Sequence, residues 1–110
     1  MTAAISKQVA QTSFEGADAL VFDPVATNRG TARTALAMLG FRQVTATSVF
    51  DEFASLIAER MFDLVVIDVT QDPAKTCGMV RTIRAGRVAA NPFLHIILMA
   101  WKLEGDLVQH

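Results

Sequence analysis

Cysteine is nearly missing from the chain: Cys77 is alone, so no disulfide can form within it and nothing in its thiol content suggests secretion. Neither sign of charge dominates, with 10 Lys and Arg against 11 Asp and Glu for a formal net charge of −1. That balance excludes a broad basic field for nucleic acid and an acidic tail. Arg29, Arg33, Arg81, Arg84 and Arg87 are separated along the sequence and form no nucleic-acid patch. No apolar run approaches a membrane span. The amino terminus lacks a basic region followed by an apolar one, which excludes a signal peptide and makes a cytoplasmic location the expectation. Internal repeats, low-complexity tracts and linkers are absent as well. What is present is 110 residues, 52% of them hydrophobic, enough for one small domain with a sizeable core.

The organising stretch is Phe62-Asp63-Leu64-Val65-Val66-Ile67-Asp68. Residues 64–67 are apolar without alternation, and three of them are β-branched, the mark of a strand buried on both faces. Such a strand belongs in a parallel sheet with helices above and below. The run stops on a carboxylate, Asp68, and a charge without a partner does not sit inside a core. Asp68 is therefore expected at the strand's carboxyl end, the edge at which open α/β sheets bind ligands.

The remaining elements follow in order. Residues 1–16 read as a partly ordered arm. Residues 17–23 form a first strand whose apolar run, 19–22, also ends on an aspartate, Asp23, followed at once by Pro24. Thr27 or Asn28 caps a helix through residue 39, with Ala32, Ala35, Leu36 and Leu39 as its core stripe and Gly40 as its left-handed stop. Residues 41–47 make a short edge strand. Ser48 to Asp51 resembles a capping box, opening a helix that buries Phe53, Leu56 and Ile57. After Asp68 comes the turn-like loop 70–74, then a short helix over 76–85 with Met79, Val80 and Ile83 inward, closed by Gly86. Asn91-Pro92 is a turn. Residues 93–100 give a fourth strand with a doubly buried run at 96–99, and residues 101–110 begin another helix. The alternation βαβαβαβα requires a parallel sheet with right-handed crossovers.

Leu20-Val21-Phe22-Asp23, Asn28-Arg29, the block from Phe62 to Asp68, and Asn91-Pro92-Phe93 through Ala100 resemble the receiver domain of two-component response regulators. The resemblance spans nearly all of residues 17–110, with residues 1–16 as a separate arm. It implies a flavodoxin-like, doubly wound parallel sheet of order 2-1-3-4-5, here lacking its fifth strand and last helix. It also implies a domain that is not an enzyme and accepts a phosphoryl group from a histidine kinase or phosphotransfer protein, assisted by Mg²⁺, for relay to a downstream protein partner. Asp68 matches the phosphoacceptor and Asp23 one of two acidic Mg²⁺ ligands, with Pro24 in place of the second. The Thr70 carbonyl matches the backbone ligand, so the expected metal set is Asp23, Asp68 and Thr70. Met99 falls at the switch Ser/Thr position and Ala100 at the small residue after it. The family's Lys-Pro end has no counterpart.

These departures set chemical expectations. Mg²⁺ prefers octahedral oxygen ligation, so a site with one fewer carboxylate binds it weakly. Met99 offers no O–H donor. The missing Lys and the missing hydroxyl together remove two contacts, each commonly worth about 1.5–3 kcal/mol, which weakens phosphoryl stabilisation by several powers of ten. The alternative reading is a pseudo-receiver that binds a protein partner without phosphoryl transfer.

Blander roles stand beside the sharp ones. Asp68 can be a structural loop cap and Asp23 a turn aspartate. Asp72 reads as a solvated loop residue or a substitute acid, Met99 as core packing, His95 as an ordinary polar residue, and Cys77 as a small residue rather than a reactive thiol. Trp101 is either an anchor for a partner or packing beneath the last helix. Four strands of a five-strand plan leave the fourth as an open edge. A two-fold dimer, the amino-terminal arm, or further chain of a longer protein would cover it. The expectation is a homodimer through the fourth strand and final helix.

Overall fold

The computed structural model describes residues 14–86 and 88–100. The expected arm lies mostly outside these residues, and the expected final helix, Trp101 and Arg87 lie outside them entirely. The element order is β1 (Asp18–Phe22), α1 (Ala26–Met38), β2 (Gln43–Thr47), α2 (Phe50–Glu59), β3 (Leu64–Asp68), α3 (Pro73–Arg84) and β4 (His95–Met99). The strands form one parallel sheet of order β2-β1-β3-β4. This is the α/β, doubly wound arrangement that the alternation predicts.

β3 is buried along its whole length, as its unbroken apolar run requires. Its residues divide between two core layers. Val65 and Ile67 join Leu20 and Phe22 under Phe53 and Ile57 of α2 and Ile83 of α3. Leu64 and Val66 join Ala19 and Val21 on the opposite face, with Leu36 of α1 and Phe41. Phe22, Phe50 and Phe53 meet as a ring cluster with centroids 5.4–5.9 Å apart, separations at which tilted and edge-on aromatic pairs attract.

The end of α1 follows its sequence. Gly40 has φ +99, Phe41 N–H donates to the Leu36 carbonyl and Gly40 N–H to that of Ala37. This is a Schellman stop, and Leu36 and Phe41 supply its accompanying apolar contact. Because the chain turns away there, Leu39 and Ala35 are exposed rather than part of the core stripe. Phe41 fills the space expected for Leu39.

All three helix starts differ from the expected caps. α1 begins at Ala26 with Val25 as N-cap, so Thr27 and Asn28 lie inside the helix. Asp23 and Pro24 set that early start: the Asp23 Oδ1 accepts the Val25 N–H at 2.9 Å, and Pro24 fixes the intervening backbone. In α2 the expected Ser48/Asp51 capping box does not form, and Val49 is the N-cap. Thr47 Oγ1 accepts the Val49 N–H and bonds the Glu52 carboxylate instead. α3 starts at Pro73, three residues before expectation, because Pro is favoured in a first helical turn. Asp72 is its N-cap, with Oδ1 accepting the Lys75 N–H at 3.2 Å, and it is exposed as expected.

The fourth strand is shorter than expected and is not doubly buried. Ile97 and Leu98 are 43% and 49% exposed, because β4 is an edge among the described residues. Asn91 makes the expected turn, donating from Nδ2 to the Phe62 carbonyl and accepting the Phe93 N–H. On the face that α1 covers, an open trough of about 540 Å³ runs past Leu39, Leu64, His95 and Ile97.

At the amino end of the sheet, Arg42 holds Asp18 through two hydrogen bonds of 2.7 and 3.0 Å. The Arg42 hydrogen bonds hold the Asp18 carboxyl below its ordinary value of 3.8, against the opposing effect of burial. A lowered folded pKa gives stability that is present above pH 3.8 and lost as pH falls through the lowered value. Arg42→Ala is expected to return the Asp18 carboxyl toward 3.8 in an NMR titration. The same change removes that part of the acid-side loss of stability, as read by denaturation at a series of pH values.

Candidate functional site

Strand order reverses between β1 and β3, and both strands end there on an aspartate. Phe22 is in register with Ile67, so Asp23 and Asp68 follow side by side on neighbouring strands, about 5 Å apart in such a sheet. Each is only 3% exposed. A crevice at such a topological switch point is where open α/β sheets hold ligands. The expected juxtaposition of the two aspartates is what the fold delivers.

The loops after the two strands fix the carboxylates locally. Asp23 folds back on the start of α1 through Val25 N–H, and the Arg29 Nη1 donates to the Asp23 carbonyl at 2.9 Å. Asp68 Oδ1 accepts the Thr70 N–H at 3.2 Å. Among the described residues its second oxygen accepts no hydrogen bond. A buried carboxylate with one oxygen unshared is costly, and the cost falls when a cation or donor reaches it.

A cleft of about 160 Å³ opens over Asp68, lined also by Phe22, Pro24, Phe50, Asp72 and Lys75. Asp23 is not among the residues that line it. Asp72, weighed from the sequence as a substitute acid, does reach this cleft while capping α3. Lys75 was not singled out from the sequence, because its place in the loop after Asp68 carried no motif. Its signal was positional: an N3 residue of a helix that starts beside the strand's carboxyl end. Its ammonium stands 4.6 Å from the Phe50 ring centroid.

Met99 lies in register with Asp68 at the end of β4, half-buried against the α1 face, and its carbonyl accepts the Val69 N–H at 2.9 Å. Its part in packing is as expected. His95 is exposed on the edge strand, and Cys77 lies half-buried within α3.

Two buried carboxylates and the nearby Thr70 backbone are hard oxygen donors of the kind Mg²⁺ takes. The unshared Asp68 oxygen fits a cation. Among the described residues no three His, Cys, Asp or Glu side chains gather to hold a metal. The buried charge itself has a measurable consequence. Asp68→Asn keeps the shape and removes the charge, so it is expected to raise stability in metal-free buffer by about 1 kcal/mol, read as a shift in the denaturation midpoint.

No protein-family model matches the chain, and no curated protein matches it. Among solved structures it is similar to the MaeR response regulator bound to beryllium trifluoride, with a TM-score of 0.63 and 18% sequence identity, covering 84% of this chain and 74% of that one. No helix of the described residues is long and apolar enough to cross a membrane. At that identity the likeness establishes architecture: the chain has a response regulator's receiver fold, with four parallel strands and three helices among the described residues.

Proposed function

We propose that the chain is a receiver-type signalling module that accepts a phosphoryl group on Asp68. The observation that supports this most is the buried Asp68 carboxylate, with one oxygen unshared, facing a small cleft at the switch point of the sheet. In the reaction, that oxygen attacks phosphorus of a phosphohistidine on a histidine kinase or phosphotransfer protein. The P–O bond forms and the P–N bond breaks. The electron pair stays on the imidazole, which takes up a proton, and the product on Asp68 is an acyl phosphate. The chain is then an acceptor in a cytoplasmic relay to a downstream protein partner, and not an enzyme.

Asp23, Asp68 and the Thr70 carbonyl would hold Mg²⁺, weakly, because Pro24 supplies no ligand. When bound, the ion supplies neutralisation of the charge carried by the transferring oxygens. Met99 gives the phosphoryl group no hydrogen bond, so a response to phosphorylation does not run through that side chain.

A second reading is favoured by the same departures. Pro24, Met99 and the lack of a three-ligand acidic cluster among the described residues suit a pseudo-receiver that binds its partner without phosphoryl transfer. Intact mass after incubation with acetyl phosphate and Mg²⁺ separates the two. The first reading expects one phosphoryl mass on the parent and none on Asp68→Ala; an unmodified parent supports the second.

The apolar run of β4, an edge strand among the described residues, further supports a homodimer. Its run Ile96-Ile97-Leu98-Met99 carries no charge or proline to block pairing. Size-exclusion chromatography at tens of micromolar is expected to give a dimer that Ile97→Lys converts to monomer.

A further inference from the structure

We propose that Lys75 is the cation that pairs with an anionic group carried on Asp68. The inference rests on the phosphoacceptor reading of Asp68 and adds a residue to it. A phosphoryl group brings negative charge to a cleft that already holds the Asp68 and Asp72 carboxylates. Lys75 is the one cationic side chain among the residues that line that cleft. It has no ion pair among the described residues. Its ammonium rests on the Phe50 ring, at 4.6 Å, and Phe50 lines the same cleft. An exposed cation–ring contact is weak, whereas a charge-assisted hydrogen bond to phosphoryl oxygen is strong. The ammonium therefore leaves the ring when the anion arrives.

The backbone that carries Lys75 is fixed for this role. Asp72 accepts its N–H, and the Thr76 hydroxyl donates to the Asp72 carbonyl at 2.9 Å. The residue is exposed, while its root is tied to the cap of α3.

Uptake of the phosphoryl group from acetyl phosphate, followed by intact mass, tests the proposal in the parent, Lys75→Gln, Lys75→Arg and Asp68→Ala. Lys75→Gln is expected to slow uptake by about tenfold or more, the fold-change of one lost charge-assisted hydrogen bond. Lys75→Arg is expected to restore most of the rate. Beryllium trifluoride is expected to shift the Phe50 ring resonances in the parent and to leave them in place in Lys75→Gln. Equal rates in the parent and Lys75→Gln overturn the role of Lys75 and leave the acceptor reading standing, as does a Lys75→Arg rate no better than that of Lys75→Gln. A parent that takes up no phosphoryl group overturns both.

Discussion

A strand buried on both faces tolerates charge only at its ends, and β3 imposes that constraint on the whole molecule. Its apolar residues interlock with two layers of side chains, so its register against β1 and β4 cannot slip without turning every residue to the wrong face. Fixing that register also fixes where Asp68 emerges. The same reasoning holds for β1 and Asp23. The acidic rim is a consequence of core packing, and the loops only adjust it.

Each of the three helices then contributes something to that rim through its first turn. α1 ties the Asp23 carboxylate to Val25. α2 starts where Thr47 and Glu52 meet, which sets Phe50 at the edge of the cleft. α3 starts at the Asp72 cap, which sets Lys75 opposite that ring. The ring cluster of Phe22, Phe50 and Phe53 connects the cleft to the interior beneath α2. Lys75 thus touches a ring that is itself packed against the core.

The parts of this arrangement that were legible in the sequence share one property: they depend on periodicity or on a run. The buried strand 64–68, the order of elements, the Gly40 stop and the positions of Asp23 and Asp68 all follow from the apolar pattern. What was not legible depends on which of several neighbouring polar residues wins a backbone donor. Thr47 prevails over Ser48, and Asp72 caps a helix that Pro73 allows to start early. Asp23 takes the N–H that fixes the start of α1, which leaves Thr27 and Asn28 inside the helix. These competitions turn on local geometry worth about 1 kcal/mol each. The place of Lys75 on the cleft was hidden for the same reason, because the residue was assigned to a loop. The exposure of Ile97 and Leu98 was hidden differently: an apolar run reads as buried whether or not a neighbour covers it.

Architecture and chemistry answer to different residues here. The fold matches a response regulator at 18% identity because a parallel sheet asks only for apolar residues at given spacings. The rim asks for particular functional groups, and there this chain has Pro24 and Met99 where the resemblance to receiver domains implies a carboxylate and a hydroxyl. Neither replacement disturbs packing: Pro24 suits the turn into α1, and Met99 packs against the layer beneath α1. The scaffold therefore accommodates both residues without loss of packing. The other polar residues that line the cleft, Ser48, Gln71, Asp72, Lys75 and Thr76, lie just before α2 and at the start of α3. Through Phe50, the cleft over Asp68 adjoins the aromatic cluster packed beneath α2.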